Sequence, residues 1–107
     1  MGGQRKWVTV FKSSELKPGQ HKDVEIEGDL IAVFNLGGKF HAIANVCTHD
    51  GGILTGGALN GKIITCPRHG AQFDITNGDV LRMPAFERVP SYEVRIEGED
   101  VRVLYEN

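Results

Sequence analysis

Cysteine occurs only twice and proline four times in these 107 residues, and no segment repeats another. Two thiols allow one disulfide at most, and nothing in the chain suggests secretion. No apolar run approaches the roughly 20 residues of a membrane span, which excludes a membrane partner. Met1 to Trp7 carries charge without an apolar core, which predicts neither a signal peptide nor an anchor and so a cytoplasmic protein. Positive charge is not in excess. Twelve Lys and Arg face 14 Asp and Glu, the net charge is −2, and no basic stripe runs along the chain. Nucleic acid is therefore not an expected partner. No segment sustains a helical period over about 10 residues, which argues against long helices.

Glycine is plentiful, at 14 residues, and it punctuates a series of β-type segments. Trp7–Phe11 is rich in β-branched and aromatic residues and predicts a strand. Ser13–Gly19 predicts a turn with one short helical turn before Pro18. Lys22–Glu27 alternates, and Leu30–Leu36 is an apolar strand. Gly37-Gly38 predicts a hairpin onto Lys39–Ala44. Asn45–Gly61 is a glycine-rich loop region. Strands follow at Lys62–Thr65, Ala71–Ile75, Asp79–Leu81, Ser91–Ile96 and Asp100–Leu104. The expected fold is all-β: a small antiparallel barrel or sandwich of about nine or ten strands. One domain fills 1–107, with a subdomain inserted at about 45–75. A compact cofactor carrier or binding module suits this size better than an enzyme with a substrate pocket.

Both cysteines have a histidine close behind. Cys47-Thr48-His49 is C-x-H, Cys66-Pro67-Arg68-His69 is C-x-x-H, and sixteen residues separate His49 from Cys66. Each motif lies in a glycine-containing loop at a strand end, where backbone can wrap closely around an inorganic group. Two thiolates and two imidazoles suit structural zinc, tetrahedral with mixed ligands. They equally suit a 2Fe–2S cluster with two Cys on one iron and two His on the other.

Here the residues themselves resemble a family. Cys47-Thr48-His49 and Cys66-Pro67-Arg68-His69-Gly70 match the Rieske pattern, with Gly51-Gly52 after the first box and Phe73-Asp74 after the second. Met83-Pro84-Ala85 falls where that family places a proline loop against its cluster. The likeness covers nearly the whole chain and is to soluble Rieske-type ferredoxins of bacterial aromatic-ring dioxygenases. It implies one 2Fe–2S cluster per chain, held by Cys47, His49, Cys66 and His69. The two histidines would also be the exits for the electron. It further implies a one-electron carrier, not an enzyme. The carrier would be a monomer that draws electrons from a flavin-dependent NAD(P)H ferredoxin reductase and serves a terminal Rieske oxygenase. The alternatives are a Rieske subunit of a nitrite- or arsenite-type redox complex, or a zinc-stabilised interaction module.

Departures from the pattern point to the low-potential branch. High-potential relatives carry an extra disulfide-forming cysteine in each box, and Gly52 and Arg68 stand at those positions. They also carry a serine and a tyrosine whose hydroxyls bond to sulfur, where this chain has Ala71 and Phe73. Two thiolates leave an oxidised cluster neutral, whereas four leave it a dianion, so mixed ligation makes reduction easier. His21 and His41 are expected to be ordinary strand residues, and Trp7 and Phe11 to be packing residues. Arg68 and Asp50 read as solvated loop charges, with tuning or docking as the sharper alternative. Pro84 reads as a shield, Glu97, Glu99 and Asp100 as a solvated hairpin tip, and Gly51, Gly52 and Gly70 as positions needing close approach or positive φ.

Overall fold

A computed structural model describes residues 5–47, 52–68, 70–83 and 87–106. Eleven strands lie among them: β1 (Arg5–Lys12), β2 (His21–Ile26), β3 (Asp29–Leu36), β4 (Lys39–Ala44), β5 (Leu59–Asn60), β6 (Ile63–Thr65), β7 (Gln72–Asp74), β8 (Val80–Arg82), β9 (Ser91–Tyr92), β10 (Val94–Glu97) and β11 (Asp100–Glu106). The short helical turn expected before Pro18 is a single 3₁₀ turn, Ser13–Glu15. No helix among the described residues is long and apolar enough to cross a membrane.

The strands form three antiparallel sheets, ordered β1-β11-β10, β2-β3-β4-β9 and β5-β6-β7-β8. The second sheet is the middle layer. Along β3 the side chains alternate between two cores. Ile31 and Val33 pack with Phe11, Val101, Val103 and Tyr105 of the first sheet. Ala32 and Phe34 pack with Ile64, Phe73 and Ile75 on the other side. Neighbouring β4 does the same, with Ala42 in the first core and Ile43 in the second. A strand covered on both faces loses its polar alternation, which is why Leu30–Phe34 reads as an apolar run.

Asn35 ends that run and is 5% exposed. Its Oδ1 accepts from the Gly38 N–H at 2.8 Å and its Nδ2 donates to the Leu16 carbonyl at 2.8 Å. It thereby closes the β3–β4 hairpin, where Leu36 pairs with Lys39, and fastens the stretch after the 3₁₀ turn.

Two details differ from the sequence reading. Ser91–Ile96 is not one strand. It breaks at Glu93, with β9 beside β4 in the middle sheet and β10 beside β11 in the first. The Glu93 carbonyl still accepts from the Leu104 N–H at 2.9 Å, so that carbonyl stays paired where the chain changes sheets. Leu59–Asn60, read as loop, is β5, which pairs back onto β6 across the Asn60-Gly61 turn.

Candidate metal centre

The two cysteines arrive from different sheets. Cys47 follows β4 by way of Asn45-Val46, and Cys66 follows β6 directly. Both are buried, at 0% and 1% exposed, and neither is in a disulfide. They share one apolar cluster with Leu54, Ile64, Ala71 and Phe73. That cluster is the core between the middle and third sheets, so the packing of those sheets brings the two thiols together.

Backbone hydrogen bonds close a loop at each. The Cys47 N–H donates to the Gly52 carbonyl at 2.6 Å. The Cys66 N–H donates to the Ala71 carbonyl at 2.7 Å, and the Gly70 N–H returns to the Cys66 carbonyl at 3.0 Å. Gly70 has φ +77°, the left-handed conformation expected from sequence. The two loop regions also touch. A Cβ added at Gly57 would stand 1.7 Å from the Thr65 carbonyl oxygen, and one at Gly56 would meet the Pro67 ring at 3.7 Å. The chain after the first box is thus laid against the strand end that delivers Cys66.

His49, His69, Asp50, Gly51 and Pro84 lie outside the described residues. What is described fits the expected group: two reduced, buried thiols in one core, each heading a loop tied by its own backbone. Thiolate is the form that ligates a metal. A pair of cysteines placed this way suits a centre whose positive charge compensates them.

The other two histidines stay out of it. His21 opens β2 with its ring 5.8 Å from Phe34 and its Nε2 3.5 Å from Asp23. His41 is half-buried in β4, where burial and then the Lys39 charge pull its pKa below the ordinary value. Neither joins a group of potential metal ligands among the described residues. Phe11 is core, as expected, and Trp7 packs under the Arg95 guanidinium at 4.4 Å. Two carboxylates of the acidic hairpin tip are paired. Glu97 accepts from Arg102 at 2.7 Å, and Asp100 meets Lys12 at 3.2 Å. Arg68 is exposed.

Asp74 takes a larger part than its place in the second-box pattern suggests. Burial pushes its carboxyl upward, but the Thr76 hydroxyl (2.6 Å), the Thr76 N–H (2.8 Å) and the Lys62 ammonium (3.1 Å) together hold it below the usual range. The Asp74 backbone meanwhile closes the 74–78 turn by accepting from the Gly78 N–H at 2.7 Å. Sequence reasoning missed Asn45 and Thr55, which are buried or half-buried beside the first box. The available signal was an asparagine ending an apolar strand, since asparagine commonly hydrogen-bonds nearby backbone at such ends.

Comparison with known proteins agrees with this geometry. The naphthalene 1,2-dioxygenase system ferredoxin component of Pseudomonas aeruginosa is 33% identical over 98 residues, covering 92% of this chain and 94% of that one. The biphenyl dioxygenase ferredoxin subunit of Pseudomonas sp. (strain KKS102) is 36% identical over 90 residues, covering 83% of each. A solved structure, the complex of reduced oxygenase and oxidised ferredoxin in carbazole 1,9a-dioxygenase, aligns with a TM-score of 0.86 at 31% identity, covering 92% of both chains. A family profile described as the Rieske [2Fe–2S] domain matches residues 6–93, a span that takes in both cysteine loops and every strand from β2 to β9. Sequence, packing and kinship therefore converge, and the chain belongs to the Rieske [2Fe–2S] domain family.

Proposed function

We propose that this protein is the one-electron carrier of a multicomponent oxygenase system. It would take electrons from a flavin-dependent NAD(P)H reductase and deliver them to a terminal Rieske oxygenase. The observation that carries this reading is coverage. The bacterial relatives that match at 31–36% identity align over most of their own length, 94% and 83% for the two above, and are named as ferredoxin components or subunits of dioxygenase systems, whereas two mammalian relatives at 34% and 35% identity, named apoptosis-inducing factor 3, are matched over only 16% of theirs. A half-open hollow of about 430 Å³ lies along Leu30, Asn45, Ile53 and Tyr92, and neither cysteine lines it. That suits a carrier, which needs no substrate pocket at its metal centre.

Cys47 and Cys66 would hold one iron, and His49 and His69 the other, within a cluster-bearing unit at about 45–75. When bound, the 2Fe–2S group supplies a centre that accepts and releases one electron. The chain does the rest. Burial of both cysteines keeps water from the sulfurs, and the backbone bonds at Gly52, Gly70 and Ala71 hold the two loops in place. Leu81 and Met83, at 47% and 67% exposed, offer apolar contact beside the Pro84 position. Exposed apolar side chains of this kind suit a small, transient docking surface.

The test begins with the protein as purified. It should be coloured, carry two irons per chain, and show a rhombic paramagnetic signal on reduction. Cys47→Ser and Cys66→Ser should each lose the colour and much of the fold. Reduction by a flavin reductase with NAD(P)H, then reoxidation by a terminal oxygenase, completes the circuit. A colourless protein with stoichiometric zinc would falsify the reading.

A further inference from the structure

A buried amide destabilises a fold unless both its ends find partners. Asn45 is 3% exposed, and both ends are used. Its Oδ1 accepts from the N–H groups of Leu54 (3.0 Å) and Thr55 (3.2 Å), and its Nδ2 donates to Thr55 Oγ1 at 2.9 Å. The Thr55 hydroxyl donates onward to Asp23 Oδ2 in β2 at 3.1 Å. The Asn45 N–H donates to the Leu30 carbonyl at 2.9 Å. One side chain therefore joins the end of β4, the chain that returns from the first box, and the outer strand of the middle sheet.

The place of this knot matters more than its strength. Cys47 lies two residues further on, with its own N–H on the Gly52 carbonyl. Leu54, whose N–H the amide holds, is fully buried in the cluster that contains both cysteines. The chain leaves toward His49 from Cys47 and comes back at Gly52, and Asn45 clamps the stretches on both sides. We propose that Asn45 is a positioning residue of the metal centre. It sets where the first box stands relative to the second, and so how firmly the iron is retained and how uniform its surroundings are. This rests on the ligand set proposed above.

Asn35 provides the comparison. Among the described residues it is the other deeply buried asparagine, 5% exposed, and both ends of its amide are used too, on an N–H and a carbonyl, but in the β3–β4 hairpin and the stretch after the 3₁₀ turn. An amide that acts only on stability would give the same result at either position.

The experiment uses the purified iron-loaded protein and the variants Asn45→Ala, Asn35→Ala, Thr55→Val and Thr55→Ser. Iron release to excess chelator, the paramagnetic spectrum after reduction, and the thermal midpoint are read for each. Asn45→Ala should release iron about ten- to a hundredfold faster, the range seen when groups that orient metal ligands are removed, and its spectrum should broaden. Asn35→Ala should lower the midpoint while keeping wild-type release and spectrum. Thr55→Val should fall between wild type and Asn45→Ala, and Thr55→Ser, which keeps the hydroxyl, should match wild type. If Asn45→Ala does not accumulate, the Thr55 pair decides, and equal release from both overturns the proposal. Iron-loaded wild type with Asn45→Ala tracking Asn35→Ala overturns the role of Asn45 alone. Wild type without iron overturns the ligand assignment and this role together.

Discussion

Gly56 and Gly57 are neighbours in sequence, and alanine should be harmless at one and damaging at the other. Neither has a left-handed φ, so backbone conformation does not decide the outcome. Contact does. A Cβ at Gly56 meets only Pro67 Cγ at 3.7 Å, an ordinary separation. A Cβ at Gly57 stands 1.7 Å from the Thr65 carbonyl oxygen, 2.9 Å from its carbon and 3.1 Å from Pro67 Cδ. No rotamer relieves a clash between Cβ and backbone, so one of the two chains must move. Thr65 is held on both sides. Its N–H bonds to the Ala58 carbonyl at 2.9 Å, and it pairs with Gln72 across β6–β7. Overpacking of this kind costs about 1–3 kcal/mol, and a lost backbone hydrogen bond about 0.5–1.5 kcal/mol more. Stiffening of the unfolded chain offsets about 0.4–1 kcal/mol. The net destabilisation at Gly57→Ala spans about 0.5–4 kcal/mol and centres near 2 kcal/mol, which is roughly 8–16 °C in midpoint for a domain of this size. Gly56→Ala should stay within about 0.5 kcal/mol of wild type. Thermal unfolding of iron-loaded protein, followed by Trp7 fluorescence and by visible absorbance, measures both. Because Cys66 follows Thr65, visible absorbance should also fall at a lower temperature in Gly57→Ala. Equal midpoints for the two variants would refute the argument from close approach.

Ala71 and Phe73 are fully buried in the cluster with both cysteines, so hydroxyls placed there by Ala71→Ser and Phe73→Tyr have sulfur as a natural partner. Protein-film voltammetry should find wild type near the low end of the Rieske range, about −150 mV, and each variant some tens of millivolts higher; downward shifts count against the reasoning. Asp74, held below its unfolded value, binds fewer protons folded than unfolded in the acid range. Its contribution is present at neutral pH and is lost as pH falls through the depressed value. The urea midpoint of Asp74→Asn should be lower at neutral pH and should converge on wild type in acid; a constant gap would oppose this. The hydrogen bond to Asp29, aided by burial, pushes the Tyr105 hydroxyl up to about 12. Its stabilisation is complete below the unfolded tyrosine range and is lost as pH rises through that raised value. Tyr105→Phe should accordingly flatten the alkaline limb of the stability profile, and an unchanged limb would contradict the bond to Asp29.

Much of this protein was readable from spacing alone. Alternation and glycine pairs marked the strands, because side-chain period and turn geometry are local properties; Lys39–Ala44 coincides with β4 residue for residue. The C-x-H and C-x-x-H boxes were legible for the same reason, since each sets its cysteine and histidine within a few residues of one another. What spacing could not reveal depends on partners distant in sequence. β9 and β10 are continuous in composition, yet they divide at Glu93 between two sheets because β4 and β11 compete for their edges. Asn45 looks like any loop asparagine until folding places Leu54, Thr55 and Asp23 around its amide. Gly57 looks like Gly56 until Thr65 arrives against it. The sequence by itself determined most of the strands and the two Cys-His boxes that the proposed ligand set is drawn from. Only the tertiary structure decided which backbone must stand bare and which polar side chain must bind the loops, because close approach and hydrogen-bond satisfaction are properties of pairs that the chain order does not bring together.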